Sequence, residues 1–561
     1  MALFRYSRVD LLLIIVITIL LASMGGTPYY HPDSIIVRSM HVLAHGGDPD
    51  FFRYPGLVIY ANAFLYGIVY LILSLFHLVA GMDEFQGFFS SGTLPGGIPF
   101  HLPALLLTYA FSALGVALTY LLTFDLARER HVAIAASLFV ATSLLWGVES
   151  HFTTVDMPMA TMVLLTVYAT VRFTRSVSPL SRPQLVTLGI LLGLSTSSKY
   201  NAVLVAVPVL AATSACFQDR ARRRSGLLLI VLAASLAFLI TNPYAFVKPG
   251  PFLHQSFDEA AHGIRGHFGW QHDQGYLHHL QTSLLNAVGV PLLGLTAIGL
   301  YALWRSDTVP LPVKRAVLLF PIVYFSIVGG SKLAFQRYML PLIPFVGMLA
   351  AWALHEMVRA LRPSARRERM LRAALLVVAG LVALPNLLQL LAHNRLLAGP
   401  DTRKGLHALF ADSGRLPVRS IFGGHYVETA LSVPVDHRWE SLKPSLPDIL
   451  ALDSFSHDRF LYDPFKSHEF AVRKQDYANA HVLQFTPFRV MKAQVPFSPQ
   501  SVYSPYPPDL SWRRAAGPYI ELYVREDTLA AELQARAREL GVACTATDAR
   551  SGYYFQNFTD R

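Results

Sequence analysis

Residues 5–26 read RYSRVDLLLIIVITILLASMGG: two arginines, an apolar run holding one carboxylate, then small residues. From Val9 to about residue 25 the run can cross a hydrocarbon core of roughly 30 Å as a helix. No small-residue cleavage site followed by a polar mature region comes after it, so it reads as a retained signal anchor rather than a removed signal peptide. Working outward, apolar stretches of similar length recur to about residue 396. The chain has 561 residues, 53% hydrophobic and only 15% charged, against about 25% charged in a soluble protein. Beyond the last stretch, charges, prolines and short mixed segments take over. The reading is an all-α polytopic membrane domain over 1–396, followed by a soluble α/β domain over 397–561.

The net charge of +11 invites a nucleic-acid partner, but the placement of the charges argues against one. Arg5 and Arg8 precede the first run, and further clusters stand at Arg128/Arg130, Arg172/Arg175/Arg182, Arg220/Arg222/Arg223/Arg224, Arg305/Lys314/Arg315 and Arg359/Arg362/Arg366/Arg367/Arg369/Arg372. Such loops set topology and face the cytoplasm. The intervening loops hold only Arg38, Arg53, Lys199, Lys248, Arg265, Lys332 and Arg337. Cys216 and Cys544 fall on opposite sides of the membrane in this scheme, so no disulfide is expected.

Keeping every basic cluster on one side requires the apolar segment 57–80, which contains Asn62 and His77, to lie along or re-enter the membrane instead of spanning it. Eleven spans remain, near 9–25, 102–123, 131–148, 155–172, 184–198, 200–216, 225–242, 283–304, 315–330, 333–352 and 372–396. An odd count with a cytoplasmic N-terminus places the terminal domain outside a multi-pass plasma-membrane protein. In that domain Asp401 can cap a helix through Leu406 and Leu409. Tyr519–Val524 alternates like a strand, and Thr528–Leu540 has helical spacing with Gly541 as its stop. No repeat, Walker loop or zinc-finger spacing is present.

Four features could carry chemistry. Asp33, in Tyr29-Tyr30-His31-Pro32-Asp33-Ser34, follows the first span at the membrane interface, where partial desolvation makes a carboxylate a usable base; the alternative is that it caps a short amphipathic helix over 34–45. Asp156, after Glu149-Ser150-His151, is expected about one turn inside an apolar helix, where an ionisable group is costly unless paired or functional. Lys199, Lys332 and Arg337 stand on the side where positive charge is disfavoured, and a shared phosphate ligand would explain them together; snorkelling is the alternative. The loop 243–282 holds His254, His262, His267, His272, His278 and His279 with Asp258, Glu259, Asp273 and Arg265, at spacings that fit no standard zinc pattern.

In order, His31-Pro32-Asp33, Phe52-Arg53-Tyr54-Pro55-Gly56-Leu57, the His151/Asp156 junction, Ser198-Lys199-Tyr200-Asn201 and Arg337-Tyr338-Met339-Leu340-Pro341 resemble the GT-C glycosyltransferases that use polyprenyl-phosphate sugars. The likeness is to the protein O-mannosyltransferase and aminoarabinose-transferase relatives (family 39/83 type), over about residues 9–400, and Asp401-Thr402-Arg403 looks like bacterial members. The resemblance implies Asp33 as catalytic base and Asp156 as the acidic residue of the second junction. It further implies His31 and His151 as supporting residues, and Lys199, Arg337, Lys332 and Arg53 as contacts for the carrier phosphate. Ser34 stands where many relatives have a second acidic residue, leaving Asp33 and Asp156 as the candidate ligands for any divalent metal ion. The implied activity is inverting transfer of a sugar from a polyprenyl-phosphate carrier to an acceptor hydroxyl of a glycan, lipid or protein outside the cell. The competing reading, a flippase for the same lipids, needs charged groups along a mid-membrane path; here they cluster at span ends.

Overall fold

In the computed structural model the described residues are 7–26, 34–266, 274–333, 335–361, 365–399, 402–410, 418, 421–423, 435–436, 447–453, 489–493, 520–525, 527–541 and 544–548. His31 and Asp33 lie outside them, as do His267, Trp270, His272, Asp273 and Asp401. The chain forms two compact units, one running to Leu391 and one from Ala392 onward.

Helix α1 (Arg8–Ser23) starts at Ser7, whose Oγ accepts from the Asp10 amide at 3.2 Å. Asp10 is buried among apolar neighbours, and its carboxylate receives Nε (2.6 Å) and Nη2 (2.5 Å) of Arg130 and the Tyr120 hydroxyl (2.9 Å). A bidentate guanidinium is the geometry that makes such a buried charge tolerable. Asp125 beside it pairs with Arg128 and Arg172, and Glu129 with Arg372. Arg128, Arg130, Arg172 and Arg372 thus mark a basic end of the bundle.

The opposite end carries His151, Lys199, Asn242 and Ser331 and is called the site end here. α2 (Ile36–Ala44), α3 (Gly56–Leu75), α4 (Met82–Ser91) and the small hairpin β1 (Thr93–Leu94)–β2 (Ile98–Pro99) follow α1 there. Then α5 (Leu102–Ala127), α6 (Arg130–Ala141) with α7 (Leu144–Glu149), α8 (Asp156–Thr174), α9 (Arg182–Ser198), α10 (Ala206–Ser214) and α11 (Arg220–Ile240) run to and fro between the two ends. α12 (Tyr244–Val247), α13 (Pro249–Arg265) and α14 (Gly275–His278) occupy the site end. α15 (Leu285–Arg305), α16 (Leu311–Val328), α17 (Ile343–Ala360) and α18 (Ala365–Ala398) complete the traverses. Counting α6–α7 as one and adding α1, eleven helical runs link the ends, in the places the apolar stretches predict.

Among the described residues eight helices are long and apolar enough to cross a membrane by length and composition. Seven belong to these traverses; the eighth is α3. Its contacts hold it at one end of the bundle. The Gly56 amide donates to Asn242 Oδ1 (2.6 Å) beyond the end of α11, and the Tyr66 hydroxyl donates to the Phe100 carbonyl (2.8 Å) ahead of α5. Val79, past the helix end, packs with Phe85, Leu94 and Phe100 in the same cluster as Ile36 and Met40. Its outer face, with Phe64, Leu71 and Leu75, is exposed, an apolar surface suited to contact with lipid.

The core holds Trp146, Phe139, Val163, Phe320 and Phe345, and small residues let helices approach closely. Gly189 and Gly193 of α9 form a GxxxG pair against α11, where a Cβ on Gly189 would stand 2.5 Å from the Ile230 carbonyl oxygen and one on Gly193 would strike that of Ala234. Such backbone contact drives helix association where water does not. Gly193→Leu is therefore expected to destabilise the bundle by about 1–3 kcal/mol, read as earlier thermal unfolding in detergent. An unshifted melting curve would contradict the packing.

In the second unit α19 (Thr402–Phe410) precedes a six-stranded mixed sheet of order β4-β3-β5-β7-β6-β8. Its strands are β3 (Ile421–Gly423), β4 (Val435–Asp436), β5 (Ile449–Asp453), β6 (Arg489–Ala493), β7 (Ile520–Val524) and β8 (Cys544–Asp548). β3 runs parallel to β4 and β5, and the other pairings are antiparallel. α20 (Asp527–Glu539) buries Leu529, Ala530, Leu533 and Ala537 and stops at Gly541, φ 63°. The strand expected near 519–524 is present but buried on both faces, with Glu521 accepting from the Tyr523 hydroxyl at 2.7 Å.

Candidate functional site

Three chain breaks at the site end bring the charged residues together. Asp156 is the first residue of α8, one turn earlier than the sequence suggested. Lys199 is extended (φ −160°, ψ 138°) between α9 and a 3₁₀ turn over Tyr200–Val205. Arg337 lies in a second 3₁₀ segment, Gln336–Leu342, which opens the apolar run Gln336–Ala360 ahead of α17. Asp156 Oδ1 receives Lys199 Nζ at 2.6 Å, and its Oδ2 lies 3.7 Å from Arg337 Nε. The three side chains are only 6%, 10% and 11% exposed. Lys199 Nζ also stands 4.7 Å from the Tyr338 ring centroid, and Arg337 sits 4.5 Å over Phe335, favourable cation–π placements. The α8 dipole adds to the cations' hold on the carboxylate, so Asp156 serves them as counter-ion.

His151 is buried against Gly25, where an added Cβ would fall 2.5 Å from its ring. Ser34 Oγ is 2.7 Å from Thr153 Oγ1, and the Ile35 amide donates to the Thr153 carbonyl at 3.1 Å. The residue that follows Asp33 is thus fastened three residues before Asp156.

Beside the cluster is a cavity of about 730 Å³ whose wall includes Arg53, Tyr54, Lys199, Glu259, Lys332 and Tyr338, with an apolar side of Val203, Leu204, Ile327 and Val328. Arg53 and Lys332 make no ion pair among the described residues. Polar bonds fix the wall: Ser256 Oγ donates to the Tyr200 hydroxyl (3.0 Å), which donates to the Phe52 carbonyl (2.8 Å), and the Lys332 amide donates to the Gly263 carbonyl (3.1 Å). Of the four cations expected at a phosphate, Arg53, Lys199 and Lys332 line this space, while Arg337 is outside its lining, against Asp156.

Among the described residues no group of three or more His, Cys, Asp or Glu is placed to hold a metal ion. Asp156, already engaged by two cations, does not fit as a ligand. Of the described histidines of this loop, His279 pairs with Ser283 at 2.8 Å, and His254 lies 3.7 Å from Asp258. Sequence reading placed Glu259 only in the group of His and acidic residues of the loop 243–282 and Tyr200 only in the Ser-Lys-Tyr-Asn motif, and it gave Ser256 no role. The legible signal was helical spacing on α13, which turns Ser256, Glu259 and Gly263 to one side.

Residues 103–246, from α5 to α12, match the family described as dolichyl-phosphate-mannose-protein mannosyltransferase. No curated protein sequence matches the chain. Among solved structures, ArnT from Cupriavidus metallidurans bound to undecaprenyl phosphate is similar with a TM-score of 0.54 at 13% identity, covering 93% of this chain and 98% of that one. Apo ArnT gives 0.52 at 13% identity, covering 92% and 98%. An Archaeoglobus fulgidus oligosaccharyltransferase in complex with Zn and sulfate is more distant, at 0.46 and 12%, covering 85% and 71%.

Proposed function

We propose, from a chain that has the GT-C glycosyltransferase fold and matches the mannosyltransferase family over 103–246, that the cavity holds a polyprenyl-phosphate sugar and that the protein moves the sugar to an acceptor hydroxyl with inversion. The observation that carries this reading is Arg53, Lys199 and Lys332 around one cavity at the site end, suited to a leaving phosphate; the ArnT relative binds such a carrier. Orientation follows from the arginines at the other end, which face the cytoplasm by the positive-inside rule and leave the site and terminal domain outside.

In the reaction, the acceptor oxygen attacks the anomeric carbon from the face opposite the phosphate. The acceptor proton passes to the Asp33 carboxylate, the new C–O bond forms, and the bond to the phosphate oxygen breaks with its electron pair on the leaving group. That anion needs no general acid, because fixed cations stabilise the charge as it develops. Asp156 holds Lys199 and Arg337 in position.

The test is transfer of labelled sugar from a purified polyprenyl-phosphate donor to envelope acceptors by the protein in liposomes. Passage of the labelled lipid across the bilayer without transfer would overturn the reading in favour of a flippase. Arg53→Ala and Lys332→Ala are each expected to weaken polyprenyl-phosphate binding about 2- to 5-fold, as exposed charges do, with the loss shrinking at high salt. Salt-insensitive binding in both would remove them from the phosphate site.

A further inference from the structure

Three cations in the cavity wall have an evident ligand in a phosphate. Glu259 does not: it is the one carboxylate among the described lining residues, and a phosphate would be repelled by it. It is half-buried, and among the described residues it makes no hydrogen bond or ion pair. Nor is it a wandering surface side chain, because α13 is pinned on either side of it. One turn before, Ser256 Oγ donates to Tyr200; one turn after, the Gly263 carbonyl accepts from the Lys332 amide and from Ser331 Oγ (2.7 Å). Leu253 and Phe257, on the outer face, are 51% and 70% exposed and suit a lipid interface, which keeps Glu259 turned inward. Its neighbour His262 does not offset the charge. Burial holds that imidazole below its usual value, and Arg53 and Arg265 push the same way against the opposing Glu259.

We propose that Glu259 is a sugar-selecting residue: its carboxylate accepts hydrogen bonds from hydroxyl or ammonium groups of the carried sugar and disfavours sugars bearing their own carboxylate. This rests on the reading of the cavity as a polyprenyl-phosphate-sugar site. The phosphate then lies toward Arg53, Lys199 and Lys332, and the sugar toward α13. Sugar hydroxyls and a sugar ammonium share the donor chemistry; a neutral isostere separates them. In Glu259→Gln the side-chain carbonyl still accepts from hydroxyls, whereas attraction for a cation is lost.

The experiment titrates the full-length protein in detergent with bare polyprenyl phosphate and with the same lipid carrying mannose, aminoarabinose or glucuronate. Glu259→Ala is expected to weaken the preferred sugar-loaded lipid about 10- to 100-fold, the effect of losing a hydrogen bond to a charged group, with bare lipid unchanged. Rescue of mannose lipid by Glu259→Gln identifies a neutral sugar. Loss as deep as in Glu259→Ala for aminoarabinose lipid identifies an amino sugar. In the native protein glucuronate lipid should bind more weakly than mannose lipid, and Glu259→Gln should narrow the gap. Unchanged sugar-lipid binding in Glu259→Ala would overturn the assignment, as would an equal loss for bare lipid, or equal native affinity for bare and loaded lipids. Failure of the native protein to bind bare polyprenyl phosphate overturns the transferase reading instead, and this assignment with it.

Discussion

Asp33→Asn is expected to insert, fold and bind polyprenyl phosphate like the native chain while losing about 10²- to 10⁴-fold in sugar transfer, the usual contribution of a positioned general base. A carboxamide keeps the size and much of the hydrogen bonding of the carboxylate but cannot take up the proton that the acceptor hydroxyl must release. In the proposed reading the phosphate is met by Arg53, Lys199 and Lys332, which line the cavity, so binding and chemistry should separate cleanly. Folding should be spared too, since the neighbouring attachment runs through Ser34 and Thr153. Single-turnover transfer measured beside donor binding decides the matter, and transfer at the native rate would remove Asp33 from the chemistry.

Much of the fold was legible because membrane spans announce themselves by length and their loops by charge. The apolar runs marked the long helices of the bundle, α3 among them, and the reading of α3 as interfacial rests on the arginines. The breaks were not legible. The span read as 131–148 divides at Ala141 and Leu144, and the one entering at 333 begins as a 3₁₀ segment around Arg337; both were submerged in continuous hydrophobicity. Asp156 stood out as an ionisable residue at an apolar helix start, but its partner is 43 residues away in sequence, and only tertiary packing joins them. In the terminal unit, the alternation over Tyr519–Val524 pointed to a strand, without saying which side chains it buries. Glu521 is buried and accepts from the Tyr523 hydroxyl, a partnership two residues along the strand that a polarity pattern does not report. Glu259 shows the remaining gap: helical spacing could put it on a face, but not say that a cavity lay before it.

The second large effect concerns Asp156. If it acted as a base, Asp156→Asn would slow transfer and leave carrier binding alone. The geometry argues for a different loss. Lys199 Nζ at 2.6 Å and Arg337 Nε at 3.7 Å would face a neutral amide with little water to solvate them, and stripping one partner from a buried charge cluster costs about 3–5 kcal/mol. The variant should unfold earlier in detergent, and its surviving folded fraction should bind polyprenyl phosphate more weakly, because Lys199 has lost what aims it. A double-mutant cycle isolates the coupling. Adding Lys199→Met to Asp156→Asn removes one of the stranded cations, so the pair should be less destabilised than the sum of the single changes. Additive losses, or unaltered carrier affinity in the single variant, would return Asp156 to the role of a second catalytic carboxylate. Sub-additive losses with weakened binding leave it as the counter-ion that holds the phosphate-facing lysine in place.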